Sequence, residues 1–256
     1  MQALPFSDLF VPPAMHILVE SLMLATFALV ASTLAAVTGF GGAAVLLPAV
    51  ILVFGVREAI PILTVAQLIG NGSRVWFNRR ELNWRVVLWF ATGGVPAALL
   101  GGYLFATAPL AALTRTLGAF LLLVVLWRHL HPKSSKAFPV PVFSAIGAGA
   151  SFLSALLGSV GPIMAPFFLA FGLAKGGYIG TEALSTVVMH VTKLIAYRRS
   201  SILSRTDVLI GLALGPIMIL GSYVGKRIVD RLPERTFIML IEVVLITAGL
   251  AFLIRG

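Results

Sequence analysis

"TGFGGAAVLLP" occupies residues 38–48 and places three glycines and one proline in eleven positions of an otherwise apolar run. In a helix interior glycine costs about 1 kcal/mol relative to alanine and proline about 3 kcal/mol, so the stretch predicts a break. "LGSVGPIMAP" at 157–166 repeats the pattern about 120 residues later. A short apolar stretch follows each break, 42–55 in the first case and 160–173 in the second. Apolar runs of about 10 to 14 residues are too short to cross a bilayer and suit a re-entrant or half-spanning segment.

The rest of the chain sets the class. Of 256 residues, 59% are hydrophobic and 11% charged, against roughly 25% charged in a soluble domain. Such a surface faces lipid, and the chain reads as an all-α integral membrane protein. Long apolar segments lie at 15–37, 57–77, 85–105, 110–130, 140–157, 177–197, 207–226 and 234–254, each near the roughly 20 residues that a spanning helix needs. The expected fold therefore has eight long helices and two short re-entrant or half-spanning segments. The longest hydrophilic stretch runs from about Arg128 to Pro139, too short for a soluble catalytic domain or an ATPase.

Net charge is +10, but most Lys and Arg stand at segment ends, where they set membrane orientation. Nucleic acid is therefore not an expected partner. The absence of cysteine excludes disulfides, a thiol nucleophile and thiolate metal ligands. No Lys or Arg precedes the first apolar stretch, so no cleavable signal is expected.

The two halves can be laid on one another as repeats of about 120 residues, 1–133 and 134–256. "FGV" at 54–56 matches "FGL" at 171–173, and "FNRREL" at 77–82 matches "AYRRSS" at 196–201. Pro96, Gly101 and Tyr103 match Pro216, Gly221 and Tyr223, each 120 residues later. The 74–85 loop, with Arg74, Arg79, Arg80 and Arg85 against Glu81, is expected inside, and the uncharged 106–109 turn outside. Arg128, Lys133 and Lys136 return the central linker to the inside. If neither broken pair makes a net crossing, Lys226, Arg227, Arg231 and Arg235 also lie inside, and the halves are inverted, as in many secondary transporters. Arg198, Arg199 and Arg205 fit this arrangement badly, and a parallel repeat would strand the later cluster instead.

Chemistry is expected where interrupted segments recur, the best sequence pointer to a transporter's substrate site. A helix beginning inside the membrane presents unpaired N–H groups and its positive dipole end, a combination that binds anions. Gly39, Gly41 and Gly42, with Gly158 and Gly161, are the backbone candidates, and Thr38 and Ser159 add hydroxyl donors. Asn71 and Arg74, spaced i, i+3, share a helix face. By the repeat, His190 and Lys193 take the same places, with Gln67 and Thr186 one turn earlier. Arg74 and Lys193 are expected near the mouths. His190, able to titrate near neutral pH, is the candidate for proton coupling.

Glu182, near its helix start where the dipole favours a carboxylate, reads as structural. For Glu20 and Glu242 the sequence leaves ion pairing and proton carriage open, and Arg115 reads as interfacial. Gly93, Gly94, Gly101, Gly102, Gly221 and Gly225 read as close-approach residues between helices. No HExxH pair or Ser–His–Asp set is present, and "GASFLSALLG" at 149–158 lacks the G-x-S-x-G elbow. The chain is expected not to be an enzyme and to carry no cofactor or metal.

These residues resemble the sulfite exporter TauE/SafE family of bacterial membrane permeases. The resemblance rests on "TGFGGAAVLLPAVILVFGV" at 38–56, the basic loop in "QLIGNGSRVWFNRRELNWRVVLW" and the glycine-rich "GGVPAALLGGYL", and it covers roughly residues 16 to 254. It departs at the second break, where Ser159, Val160 and Pro162 interrupt the glycine run. The resemblance implies a multi-pass inner-membrane exporter of small anions: sulfite, sulfoacetate and other organosulfonates, or thiosulfate, though the lack of cysteine argues against a thiol relay. Its expected partners are a small anionic substrate, the lipid bilayer, protons as coupling ion and a second copy of the chain. The residues also leave open an uncoupled anion channel or facilitator, a membrane enzyme and an oligomeric scaffold.

Overall fold

The computed structural model describes residues 13–40, 42–105, 139–158 and 160–233, with Thr236 and Met239. Among them the chain is helical and holds no strand. The first half gives α1 (Pro13–Thr38), α2 (Gly42–Phe54), α3 (Val56–Phe77) and α4 (Trp84–Phe105). The second gives α5 (Val142–Leu157), α6 (Gly161–Ala170), α7 (Lys175–Arg199), α8 (Arg205–Ala213) and α9 (Gly215–Arg231). The expected span at 110–130, most of that at 234–254, the 106–109 turn and the central linker lie outside the described residues, as do Gly41, Arg115, Ser159 and Glu242.

Three stretches, Leu18–Thr38, Trp84–Phe105 and Arg205–Arg231, are long and apolar enough to cross a membrane. They present an apolar exterior, with Leu22, Leu88, Leu100 and Leu209 among the exposed side chains. The chain is an integral membrane protein on this evidence. α3 and α7 are as long, at 22 and 25 residues, but carry the polar stripes described below. α5 has 16 residues, shorter than the expected crossing. The span expected at 207–226 is two helices meeting at Leu214, with Pro216 in the first turn of α9, where a proline needs no N–H partner. α8 opens with a capping box: Asp207 N donates to Ser204 Oγ (3.1 Å) and Ser204 N to Asp207 Oδ2 (2.8 Å).

Both helix breaks use the same backbone device. Gly39 and Gly158 adopt φ of +82° and +80°, the left-handed region that closes a helix and that glycine enters at least cost. Gly39 N donates to Ala35 O (2.8 Å) and Gly158 N to Ser154 O (2.9 Å). The short helices end alike, with Gly55 at +82° and Gly172 at +94°.

Between the halves, α4 packs on α5 and α1 on α9, while α3 and α7 meet at the centre. Glycines set these contacts. A methyl on Gly93 would strike Ser144 O, one on Gly147 would strike Phe90 O, and one on Gly101 would meet Phe152 O at 2.7 Å. Numbering rises together on both helices, so α4 and α5 run parallel. On α1 and α9, Gly221 sits on Ser32 and Gly225 on Ala36, again in parallel. α3 and α7 run antiparallel, since Arg74 faces Glu182, Asn78 faces Gly180 and Glu81 faces Gly176.

Overpacking a tight contact costs typically about 1–3 kcal/mol, whereas alanine for glycine on an open helix face gains about 1 kcal/mol. Gly93→Ala and Gly147→Ala should therefore lower the thermal midpoint in detergent. Gly72→Ala and Gly149→Ala, with nothing within 4 Å of the added methyl, should hold or raise it.

Candidate functional site

The first break ends α1 and starts α2 with its polar atoms largely committed. Thr38 Oγ1 lies within hydrogen-bonding reach of Phe40 O (2.6 Å) and Leu34 O (2.9 Å) and shares its one proton between them, which holds the turn. Thr38 is thus a brace for Gly39 rather than a donor into open space. Glycine at 39 is also required sterically, because the buried Tyr178 ring occupies the place of its missing side chain.

On α3 the polar side chains follow one stripe, Gln67, Asn71, Arg74 and Asn78, all buried. Arg74, expected near a mouth, is buried at 4% exposure. Its Nη1 donates to Ala35 O (2.9 Å) and Gly39 O (3.0 Å), and its Nη2 donates to Asn71 Oδ1. Asn71 Nδ2 in turn donates to Gln67 O (2.7 Å). The C-terminal carbonyls of α1 thus receive a cation, the favourable pole of a helix end for positive charge. With Arg74 withdrawn, the loop after α3 keeps Arg79, Arg80 and Arg85 against Glu81. Arg79 lies over the exposed Trp76 ring at 4.3 Å, a pairing suited to a membrane interface.

α7 presents the matching stripe, Glu182, Thr186, His190 and Lys193, all buried. Lys193 takes the place corresponding to Arg74 and is fully buried. Its Nζ donates to Ser154 Oγ (3.2 Å), four residues before Gly158, as Ala35 is four before Gly39. Glu182 Oε1 accepts from Thr186 Oγ1 (3.1 Å), and Oε2 stands 3.9 Å from Arg74 Nη1. Position 63, which corresponds to Glu182 across the repeat, holds leucine, so the carboxylate exists on one side only.

These elements enclose a cavity of about 30 Å³, at least twice what one water requires. The first break contributes Gly39, Phe40 and Gly42; the second contributes Gly158, Val160 and Gly161. α3 adds Gln67, Asn71 and Arg74, and α7 adds Glu182, Thr186 and His190. Ser154 and Met189 complete much of the wall. Three buried polar atoms on lining residues, Gln67 Nε2, Glu182 Oε2 and His190 Nδ1, have no hydrogen-bond partner among the described residues. Buried polar groups are normally paired, so these mark a place where a polar guest belongs. Both short helices begin at the wall, and first-turn N–H groups have no partner within their own helix. The second start offers fewer of them, because Pro162 occupies its first turn.

The family model for sulfite exporter TauE/SafE matches residues 24–252. The chain belongs to the sulfite exporter TauE/SafE family. Neither a curated protein nor a solved structure matches it. As a TauE/SafE protein it stands among membrane permeases, with anion transport as the general activity and a small anion and the bilayer as partners.

For this TauE/SafE chain the structure gathers Gly39, Gly42, Asn71, Arg74, Gly158, Gly161 and His190 at one wall. Lys193 stands behind that wall, linked to it through Ser154, and Thr38 braces the turn. Glu20 is exposed on α1, away from this group. Glu182 and Ser154 also line this cavity, and the sequence marked neither as a candidate. The signal for Glu182 was its spacing: 182, 186 and 190 fall i, i+4, i+8 on one helical stripe. Ser154 lay inside a stretch that reads as helix packing, and only the approach of α7 distinguishes it.

Proposed function

We propose that this chain is a multi-pass secondary transporter of the bacterial inner membrane, exporting sulfite, sulfoacetate or related organosulfonates by alternating access without covalent chemistry. The anion sits in the cavity between two inverted halves, 1–133 and 134–256, and protons are the coupling ion. First-turn N–H groups after Gly39 and Gly158, with Gln67, Asn71 and His190, hold its oxygens. Arg74 and Lys193 supply the positive potential. The observation that carries this reading is the convergence of both helix breaks and both polar stripes on one buried cavity. The antiparallel packing of α3 on α7, helices that correspond across the halves, supports the inverted arrangement.

Flux of sulfite, sulfoacetate, taurine and sulfate into proteoliposomes tests it, with and without a pH gradient. Saturation at low substrate and counterflow are expected; linear flux with neither would indicate a pore. A hydrogen bond to a charged group is worth about 1.5–3 kcal/mol, so Asn71→Ala and His190→Ala should each cut flux by about tenfold or more. The matched control is Gly149→Ala, which meets nothing and should stay near wild type. Gly101→Ala is unsuitable as a control, because its methyl would collide with α5.

A further inference from the structure

The cavity holds one feature that an anion site does not need for binding alone. Glu182 is 2% exposed and lines the cavity opposite Arg74. A carboxylate there repels the substrate and occupies the field of the guanidinium that should attract it. At 3.9 Å the pair is in ionic contact without a hydrogen bond, and Oε2 has no hydrogen-bond partner among the described residues. Arg74 commits three N–H donors to Ala35, Gly39 and Asn71, which leaves two of the five that a guanidinium carries.

We propose that Glu182 is the proton-coupling carboxylate of this anion site, ionised when it competes for Arg74 and protonated when the substrate anion takes its place. The inference rests on the cavity being the anion site. A proton from solvent adds to Oε2, while Oε1 keeps the Thr186 hydroxyl. Neutral Glu182 leaves the Arg74 charge uncompensated, and the anion then supplies the negative charge beside the guanidinium. Deprotonation restores the internal pair and expels the anion. Proton and anion therefore bind together and cross in the same direction, one proton per anion, so export runs on the outward anion gradient and an inward proton gradient slows it. The step is an exchange of ionic partners, and no covalent bond other than O–H forms or breaks.

The titratable group facing Glu182 is Arg74 on α3; along α7 itself, Tyr178 lies one turn before it, His190 two turns after and Lys193 three turns after. Among the described residues, α1, α2, α4, α5 and α6 contribute no buried charged side chain. Asp207, on α8 against α3, is held in the capping box with Ser204. His190 is the competing candidate for coupling. It lies two turns from Glu182 on the same stripe, and when protonated it carries the same sign as Arg74 and so cannot exchange with the anion as the partner of that guanidinium.

The test is anion affinity as a function of pH, measured by calorimetry in detergent with sulfite and with ethanesulfonate, whose sulfonate does not titrate between about pH 5 and 9. In the wild type, affinity for ethanesulfonate should fall by up to tenfold per pH unit over part of that range, the slope of one linked proton. Glu182→Gln, which keeps the acceptor for Thr186, should bind as tightly as the wild type at low pH and show no slope. His190→Asn should keep the slope. A slope retained in Glu182→Gln, or lost in His190→Asn alone, would overturn the proposal while leaving the anion site intact. Binding of neither anion by the wild type at any pH would overturn both. Should Glu182→Gln fail to assemble, buffer-dependent heats in the wild type decide: uptake of about one proton per anion supports the proposal, and none refutes it.

Discussion

Arg74→Ala should abolish anion flux in proteoliposomes and lower the thermal midpoint in detergent more than any other truncation at the cavity. Arg74 donates to Ala35 O, Gly39 O and Asn71 and faces Glu182. Its removal strips the cation from the end of α1 and leaves a buried carboxylate alone. Removing one partner of a buried ion pair costs about 3–5 kcal/mol, mainly because the survivor is uncompensated. Lost flux in this variant therefore mixes damage to the fold with damage to the site, and the double variant Arg74→Ala/Glu182→Gln separates them. With the stranded charge gone, much of the thermal midpoint should return, while flux should stay lost because no guanidinium remains to attract the anion. Arg74→Lys should fold but transport poorly, since one ammonium cannot reproduce the fork that reaches two carbonyls and Asn71. Wild-type flux in the double variant would remove Arg74 from the site.

The contrast between Arg74 and Gly39 shows which parts of this molecule are legible without coordinates. Helix breaks are local: glycine and proline act on their own backbone, so α2 and α6 fall within three residues of the short stretches at 42–55 and 160–173. The matching φ values at Gly39 and Gly158, and at Gly55 and Gly172, follow from residues that the two halves share. Burial of a charge is not local. Arg74 stands three residues before the end of α3, where a snorkelling arginine looks the same in sequence. It is buried because α1 ends beside it with free carbonyls, a fact of packing. Glu182 was obscured by a different competition, since a carboxylate near a helix start has a sufficient structural explanation in the dipole. Its stripe with Thr186 and His190 carried the better information. Thr38 went the other way: threonine beside a helix end tends to bond its own backbone, and here it does. The split of the last described span into α8 and α9 had a visible cause in Pro216, although the corresponding Pro96 is accommodated inside α4.

Gly39→Ala should eliminate transport, whereas Gly158→Ala should leave a measurable fraction. Both positions have positive φ, and a left-handed conformation costs a non-glycine residue about 1–2 kcal/mol. By that cost alone the two variants would be equal, each weakened by about tenfold or somewhat more. Their surroundings differ. A methyl at 158 would meet Ile60 Cγ1 at 3.5 Å and Leu47 and Leu63 methyls at 3.9 Å, ordinary contact distances. A methyl at 39 would fall on the Tyr178 ring, 2.5 Å from Cζ and 2.6 Å from Oη. That ring is fully buried and stands edge-on to Phe168 of α6 at 6.5 Å between centroids, so it has little room to yield. The backbone at 39 must move instead, and Gly39 O is one of the two carbonyls that seat Arg74. The clash at one break is thereby transmitted to the guanidinium, while at the other break Lys193 reaches the Ser154 side chain rather than the carbonyl of the break glycine. Flux should fall by more than about a hundredfold in Gly39→Ala, the additive outcome of strain and a displaced Arg74 at about 1.4 kcal/mol per factor of ten. Equal losses in the two variants would mean that the breaks act through their backbone angles alone, and that the asymmetry of Tyr178 and Arg74 has no part in transport.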